Sequence, residues 1–316
     1  MATVTRLVYF IPGNDQYTID IAKDLSAVHR KLHRQKMTYT VLGGQIKESN
    51  GSTFYFKTAP PAWTTNVAIR RAFNVWRKSR RELFKNTDIT NPKWSDFKVL
   101  LDSNHNTTNT LDPMMSTTEE DGEQVPYSMG EWNYADLVQP KLIDPDNDGG
   151  LEFDDNADSW VLMIVGDHDG NGDLTVTEDG ERFYEDYTRV GIIRSWYNSR
   201  SIPRTSDPAN APTGPSGVRT DPLSNLFNVQ DDDSEMLEVV EQENDHAPYD
   251  YNGVPGMNDN ELQLVAFADN DQGEGSGADV QVIPGFQAAC GLVRIEPSDN
   301  NGAVLMLDVI AEGERI

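Results

Sequence analysis

Three groups of side chains in this chain have types and spacings that could do chemistry. The first is DHDGNGDLTVTE, residues 167–178, which fits the calcium-loop pattern D-x-[DN]-x-[DN]-G-x5-E without a mismatch. In such a loop Asp167, Asp169 and Asn171 supply oxygen ligands and Gly172 makes the sharp turn. Asp173 offers its backbone carbonyl, Thr175 follows, and Glu178 binds with both oxygens. The expected cofactor is therefore Ca2+ at Asp167, Asp169, Asn171, Asp173 and Glu178. The competing reading is a solvated Asp/Gly/Asn turn in an acidic chain. A weaker copy, DPDNDGGLEFDD, runs from Asp144 through Asp146, Asp148 and Gly149 to Asp155. It ends in Asp, whose shorter side chain binds less readily with both oxygens.

The flanks argue against a calcium sensor. A helix–loop–helix unit needs an amphipathic helix on each side of the loop. Before Asp167 stands WVLMIVG, apolar and strand-like, and before Asp144 stands ADLVQPKLI, interrupted by Pro140. The opening motion of a calcium switch is not expected.

The second group is basic. WTTNVAIRRAFNVWRKSRRELFKN, residues 63–86, has helical spacing, with Thr64 or Thr65 as cap and Ile69, Ala72, Phe73, Trp76 and Leu83 on one face. Arg70, Arg77, Lys78, Arg81 and Lys85 share another face, and Arg30, Lys31, Arg34 and Lys36 add to the same third of the chain. Cations arranged this way suit phosphate contact through charge, without reading of sequence. A solvated basic face is the plainer alternative.

The third group excludes more than it offers. The five histidines are scattered, and His29 and His33, four apart on a basic segment, read as a surface pair. The single cysteine, Cys290, rules out an internal disulfide framework and a cysteine zinc site, and reads as a small core residue. No P-loop, G-x-S-x-G, H-E-x-x-H or G-x-G-x-x-G occurs, so no enzyme is expected.

The elements that must position these groups are mostly strands. TRLVYFIP, YTIDIA, WSDFKVLLD and SWVLMIVG read as strands. So do ELQLVAFA, ADVQVIPG, CGLVRIEP and GAVLMLDVIAEG. DLSAVHRKLHRQ reads as a short helix, and a short acidic helix is expected within 226–256. TYTVLGGQIKES and STFYFKTA flank Asn50–Gly51, the signature of a hairpin. Short strands with long connections predict an all-β antiparallel sandwich or barrel with inserted helices. One domain over 1–316 is expected, with inserted loops at 103–123, 144–181 and 203–260. No apolar run is long enough for a membrane span, and the N-terminus turns polar too early for a secretory signal.

Charge is lopsided. The net charge of −26 divides into +10 over residues 1–101 and −36 over residues 102–316. One surface for polyanions and another that repels them is the expected consequence.

Seven segments in one order resemble a known family. They are YTIDIAKDLSAVHRKLHRQ, AWTTNVAIRRAFNVW, DFKVLLDSNH, GEWNYADLVQP, VGIIRSWYNSRSIP, LSNLFNV with ENDHAPYDYNGVPG, and CGLVRI. Together they are similar to the capsid proteins of environmental, often marine, circular Rep-encoding single-stranded DNA viruses. His29 stands where that family usually has Asn. The resemblance implies a jelly-roll subunit of an icosahedral shell, located in the virion. Its partners would be copies of itself and single-stranded DNA, held by non-specific phosphate contacts, with no membrane and no catalytic residues. The implied DNA contacts are Arg30, Lys31, Arg34, Arg70, Arg77, Lys78, Arg81 and Lys85. Two departures stand out: the calcium-like loop, and the lack of a strongly Arg-rich N-terminal arm. A calcium-dependent extracellular β-sandwich of the adhesin or lectin kind is the alternative. An acidic glycoside hydrolase is a more distant one.

Overall fold

Alternation with a period of two dominates the ends of the chain. In β1 (Val4–Ile11), Leu7, Tyr9 and Ile11 are buried, and in β16 (Ala303–Ile310) Ala303, Leu305, Leu307 and Val309 are buried. Such strands hide one face and show the other to solvent. The computed structural model describes residues 3–48, 52–85, 92–117, 124–144, 152–168, 174–176, 182–184, 189–198, 254–258, 261–269, 279–299 and 302–315, apart from residues 14, 107 and 312. By their contacts the residues group into one unit, Met1–Ser199 with Pro255–Ile316, and another, Arg200–Val254. The acidic helix expected within 226–256 lies outside the described residues.

The described chain is mostly strands in antiparallel sheets, with few helices. The first sheet runs β1–β16–β3–β13, where β3 is Met37–Glu48 and β13 is Asp279–Ile283. β14 (Phe286–Ala289) and β17 (Glu314–Arg315) also pair with β3. The second runs β12–β4–β15–β2, with β2 at Tyr17–Asp20, β4 at Thr53–Thr58, β12 at Gln263–Asp269 and β15 at Leu292–Pro297. Inward residues of both sheets, among them Tyr9, Ile46, Phe54, Phe56, Val293 and Leu305, form one core.

The expected hairpin at Asn50–Gly51 is corrected. β3 and β4 do not pair; each lies in a different sheet. β3 is already bordered by β16 and then β17 on one side and by β13 and β14 on the other, so β4 finds its ladders with β12 and β15. Asn50 and Gly51 themselves lie outside the described residues; the chain on either side of them belongs to different sheets. Gly44 permits the close β3–β16 approach: a Cβ there would lie 2.4 Å from the Met306 carbonyl oxygen.

The long connection from β4 to β12 contains α2 (Trp63–Lys85), a two-stranded pair β5 (Met114–Thr117) and β6 (Gln124–Pro126), and a third sheet. That sheet runs β11–β8–β7–β10–β9, with β7 at Asp136–Asp144, β8 at Glu152–Met163, β9 at Leu174–Val176, β10 at Arg182–Tyr184 and β11 at Arg189–Gly191. β11 runs parallel to β8, and α3 (Ile192–Asn198) follows it. Pro140, which cannot donate to a ladder, sits at a register shift in the β7–β8 pairing.

WSDFKVLLD is not a strand. Residues 94–99 are irregular, and Leu100 makes only an isolated bridge to Met163. Its backbone groups are satisfied piecemeal: Val99 N–H donates to Gln35 Oε1, Leu100 N–H to the Leu162 carbonyl, and Leu101 N–H to His105 Nδ1. Side-chain acceptors and scattered backbone partners together stand in for a regular ladder, which no periodicity reveals. Among the described residues no helix is long and apolar enough to cross a membrane.

Candidate nucleic-acid interface

α1 (Ile21–His29) opens the basic region. Asp20 caps it, accepting from Lys23 N–H at 3.1 Å, and Arg30, with φ of 55°, ends it in the left-handed region. The helix thus starts earlier and stops sooner than the sequence reading had it. Beyond Arg30 the chain folds back, with His33 N–H donating to Ser26 Oγ at 2.9 Å. His29 and His33 are not a surface pair. Their rings approach at 3.0 Å (Nδ1 to Nε2), and His33 is buried. Burial, then the charges of Lys31 and His29, hold His33 down to about 4.

α2 forms as its period predicts, though it begins at Trp63, so Thr64 and Thr65 lie inside the helix and neither caps it. Phe73 and Trp76 pack edge-on against Phe97, with centroids 5.7 and 5.8 Å away. This fixes which face meets solvent. Arg70, Arg77, Lys78, Arg81 and Lys85 are all exposed.

Three cavities line this region. One of about 510 Å³ brings together Arg34, Lys36, Arg70 and Phe73, with Lys36 Nζ 3.8 Å from the Phe73 centroid. A second, about 310 Å³, holds Lys23, Arg30, Lys31, Trp94, Lys98 and Trp132. The third, about 430 Å³, holds Trp76, Arg80, Lys93, Trp94, Lys98 and Tyr134. The structure therefore unites Arg34 with Arg70, and Arg30 with Lys31. Arg77, Lys78, Arg81 and Lys85 extend the exposed surface along α2 and line none of these three cavities.

Sequence reasoning missed Arg80, Lys93, Trp94, Lys98 and Trp132. The adjacent Lys93–Trp94 pair, cation beside aromatic, was the available signal. Lys98 was hidden by the strand reading. Its ammonium sits 4.3 Å from the Trp132 centroid. Burial lowers its pKa, while Asp20, Asp96 and Glu131 pull the other way.

Beneath the cavities lies a polar network. Asp20 Oδ2 accepts from Trp132 Nε1 and from Gln35 Nε2, both at 3.0 Å. Asp24 accepts from the Tyr9 hydroxyl at 2.6 Å, and burial raises it well above the carboxylate range. Arg294, on β15, is fully buried and pairs with Asp102. His105 is fully buried, contrary to its polar sequence context. These groups tie the β4–β12 connection to the second sheet and so hold the cavity walls.

The calcium-like loop is described only at its start. Asp167 Oδ1 accepts from His168 N–H at 2.8 Å and lies 3.3 Å from Arg194 Nε. Asp169, Asn171, Asp173 and Glu178 lie outside the described residues. In the weaker copy, Asp144 ends β7 and Asp155 sits within β8, two strands that pair antiparallel, while Asp146, Asp148 and Gly149 lie outside the described residues. Among the described residues, no group of three or more His, Cys, Asp or Glu is placed to hold a metal ion. Comparison of the chain with models of known protein families, with curated proteins and with solved structures finds no match.

Proposed function

We propose that this chain is a coat subunit of a single-stranded DNA virus, a jelly roll that assembles with copies of itself and contacts the genome through its basic face. The observation that carries the reading is the strand order. Taken along the chain, β1, β2, β3, β4, β12, β13 with β14, β15 and β16 make eight strands. They alternate in pairs of sheets as β1–β16–β3–β13 and β2–β15–β4–β12. The first strand pairs with the last, the second with the seventh, and the fourth with the fifth. This order supports a winding of two Greek keys, the architecture the family resemblance implies.

A fold alone names no function. Its combination with the basic face ties this one to nucleic acid. α2 and the α1 end present cations in a chain whose net charge is −26, so the positive region is local and directional. In this reading the work is done by shape and charge, without bond-breaking. Electron microscopy of the purified protein, with and without single-stranded DNA, tests it. Closed particles of uniform diameter are expected. A chain that stays monomeric across salt and pH, with DNA present, overturns the reading.

A further inference from the structure

We propose that Trp94 is a stacking platform for an unpaired base, and that the two cavities it separates receive the flanking backbone of a single-stranded nucleic acid. This rests on the coat-subunit reading and names the ligand class its basic face takes. Trp94 is 58% exposed, a large indole left in solvent. Lys93 Nζ lies 4.8 Å from its centroid, so the ring already stands beside a cation. It lines both the 310 Å³ and the 430 Å³ cavities, and Lys98 lines both with it. A strand crossing Trp94 therefore passes from Arg30 and Lys31 on one side to Arg80 and Lys93 on the other. Glu131 borders both cavities as well and Asp96 the larger one, and in each cavity the cations outnumber the carboxylates.

A second observation is independent of charge. Trp76, on the wall of the larger of these cavities, is 8% exposed, and its indole N–H has no acceptor among the described residues. A buried donor without a partner is costly, and a phosphate or base oxygen would supply one. Aromatic faces flanked by cations are how sequence-tolerant single-strand binders work, because every base has a π-face. A duplex keeps its base faces stacked on one another and cannot offer one to Trp94. The cationic lining disfavours an apolar protein segment.

The test uses the full chain and three labelled ligands of equal length: an oligo-dT strand, an abasic strand and a duplex. Oligo-dT should bind about ten-fold or more tighter than the abasic strand, the size of one stacked base. Trp94→Ala should abolish that preference, leave abasic binding unchanged and remove the fluorescence quenching that oligo-dT causes. Trp94→Phe should restore part of the preference. Because Trp94 is exposed, thermal unfolding of both variants should match the parent. Equal binding of oligo-dT and abasic strand, or equal loss of both in Trp94→Ala, overturns the stacking role, as does binding of neither strand. Particles by microscopy with no base preference would leave the coat reading standing and remove this inference. A base preference without particles would do the reverse.

Discussion

The indole N–H of Trp132 donates to Asp20 Oδ2 at 3.0 Å, and the same ring holds Lys98 Nζ 4.3 Å from its centroid. One side chain thus joins the carboxylate that caps α1 to the cations of the candidate interface. The state of Asp20 is felt at both ends.

Burial pushes Asp20 up to about 6, against the Lys23 N–H, the Lys23 ammonium and the Trp132 N–H, which favour its ionised form. In the unfolded chain the same carboxyl loses its proton near 4. Between these values the folded chain holds a proton that the unfolded chain has released. Stability therefore falls as pH rises through this window, by about 3 kcal/mol from this group. Asp24, raised by burial, acts in the same direction. Urea unfolding at a series of pH values should show that fall, and Asp20→Asn should flatten it while lowering stability overall. A slope unchanged by Asp20→Asn would refute the assignment.

His105 works in the opposite sense. Burial first, then the charges of Arg294, Lys23 and Arg189, hold its pKa down to about 3. Nδ1 accepts from Leu101 N–H at 3.0 Å, so the neutral ring carries its proton on Nε2, facing the Tyr134 hydroxyl at 3.0 Å. The unfolded ring protonates near 6.5. Its contribution is complete above that value and is lost as pH falls toward 3. Nitrogen NMR of the ring at pH 5 should report a neutral Nε2–H tautomer. A ring titrating near 6.5 in the folded protein would sink the prediction.

Arg294 and Asp102 form a pair with both side chains almost wholly out of solvent. Removing one partner strands the other charge. Asp102→Ala should cost about 3–5 kcal/mol, whereas replacing both, as Asp102→Leu with Arg294→Met, should recover most of it. Denaturant midpoints of the two variants decide the matter. If the double replacement is no better than the single one, Arg294 is held by something other than this carboxylate. Gln16, which accepts from Nη1 at 3.2 Å, would be the next suspect.

The strands of the two main sheets were legible because inward and outward residues alternate, as in Leu305, Met306 and Leu307. The basic face of α2 was legible because Ile69 and Trp76 mark its opposite side. What escaped depends on distance along the chain. Asn50–Gly51 announces a reversal but not which sheet receives the next strand. Residues 94–102 are apolar enough for a ladder, yet they are held by Gln35 and by the backbone of Leu162, too remote for any local pattern. The cavities follow from that segment, so Lys98 was invisible as a site residue, and Trp94 was marked only by its lysine neighbour. His33 and His105 looked solvated because their sequence neighbours are polar, whereas the fold takes both rings out of solvent and gives them protein hydrogen-bond partners.

The basic face of α2 should govern how binding responds to salt. Each phosphate neutralised on a single strand contributes about −0.7 to the slope of log K against log salt. Replacing Arg77, Lys78 and Arg81 together by Gln removes three exposed cations, and should reduce the magnitude of that slope by about 2. Gln has nearly the helix propensity of Arg and Lys, so α2 should persist, which circular dichroism can verify. The base preference assigned to Trp94 should survive this change, because it depends on the ring and not on counterion release. Conversely, Trp94→Ala should leave the slope as it was. A triple variant that binds oligo-dT with the parent slope would mean that the exposed face of α2 is not where the phosphates lie, and would confine the interface to the cavities around Trp94.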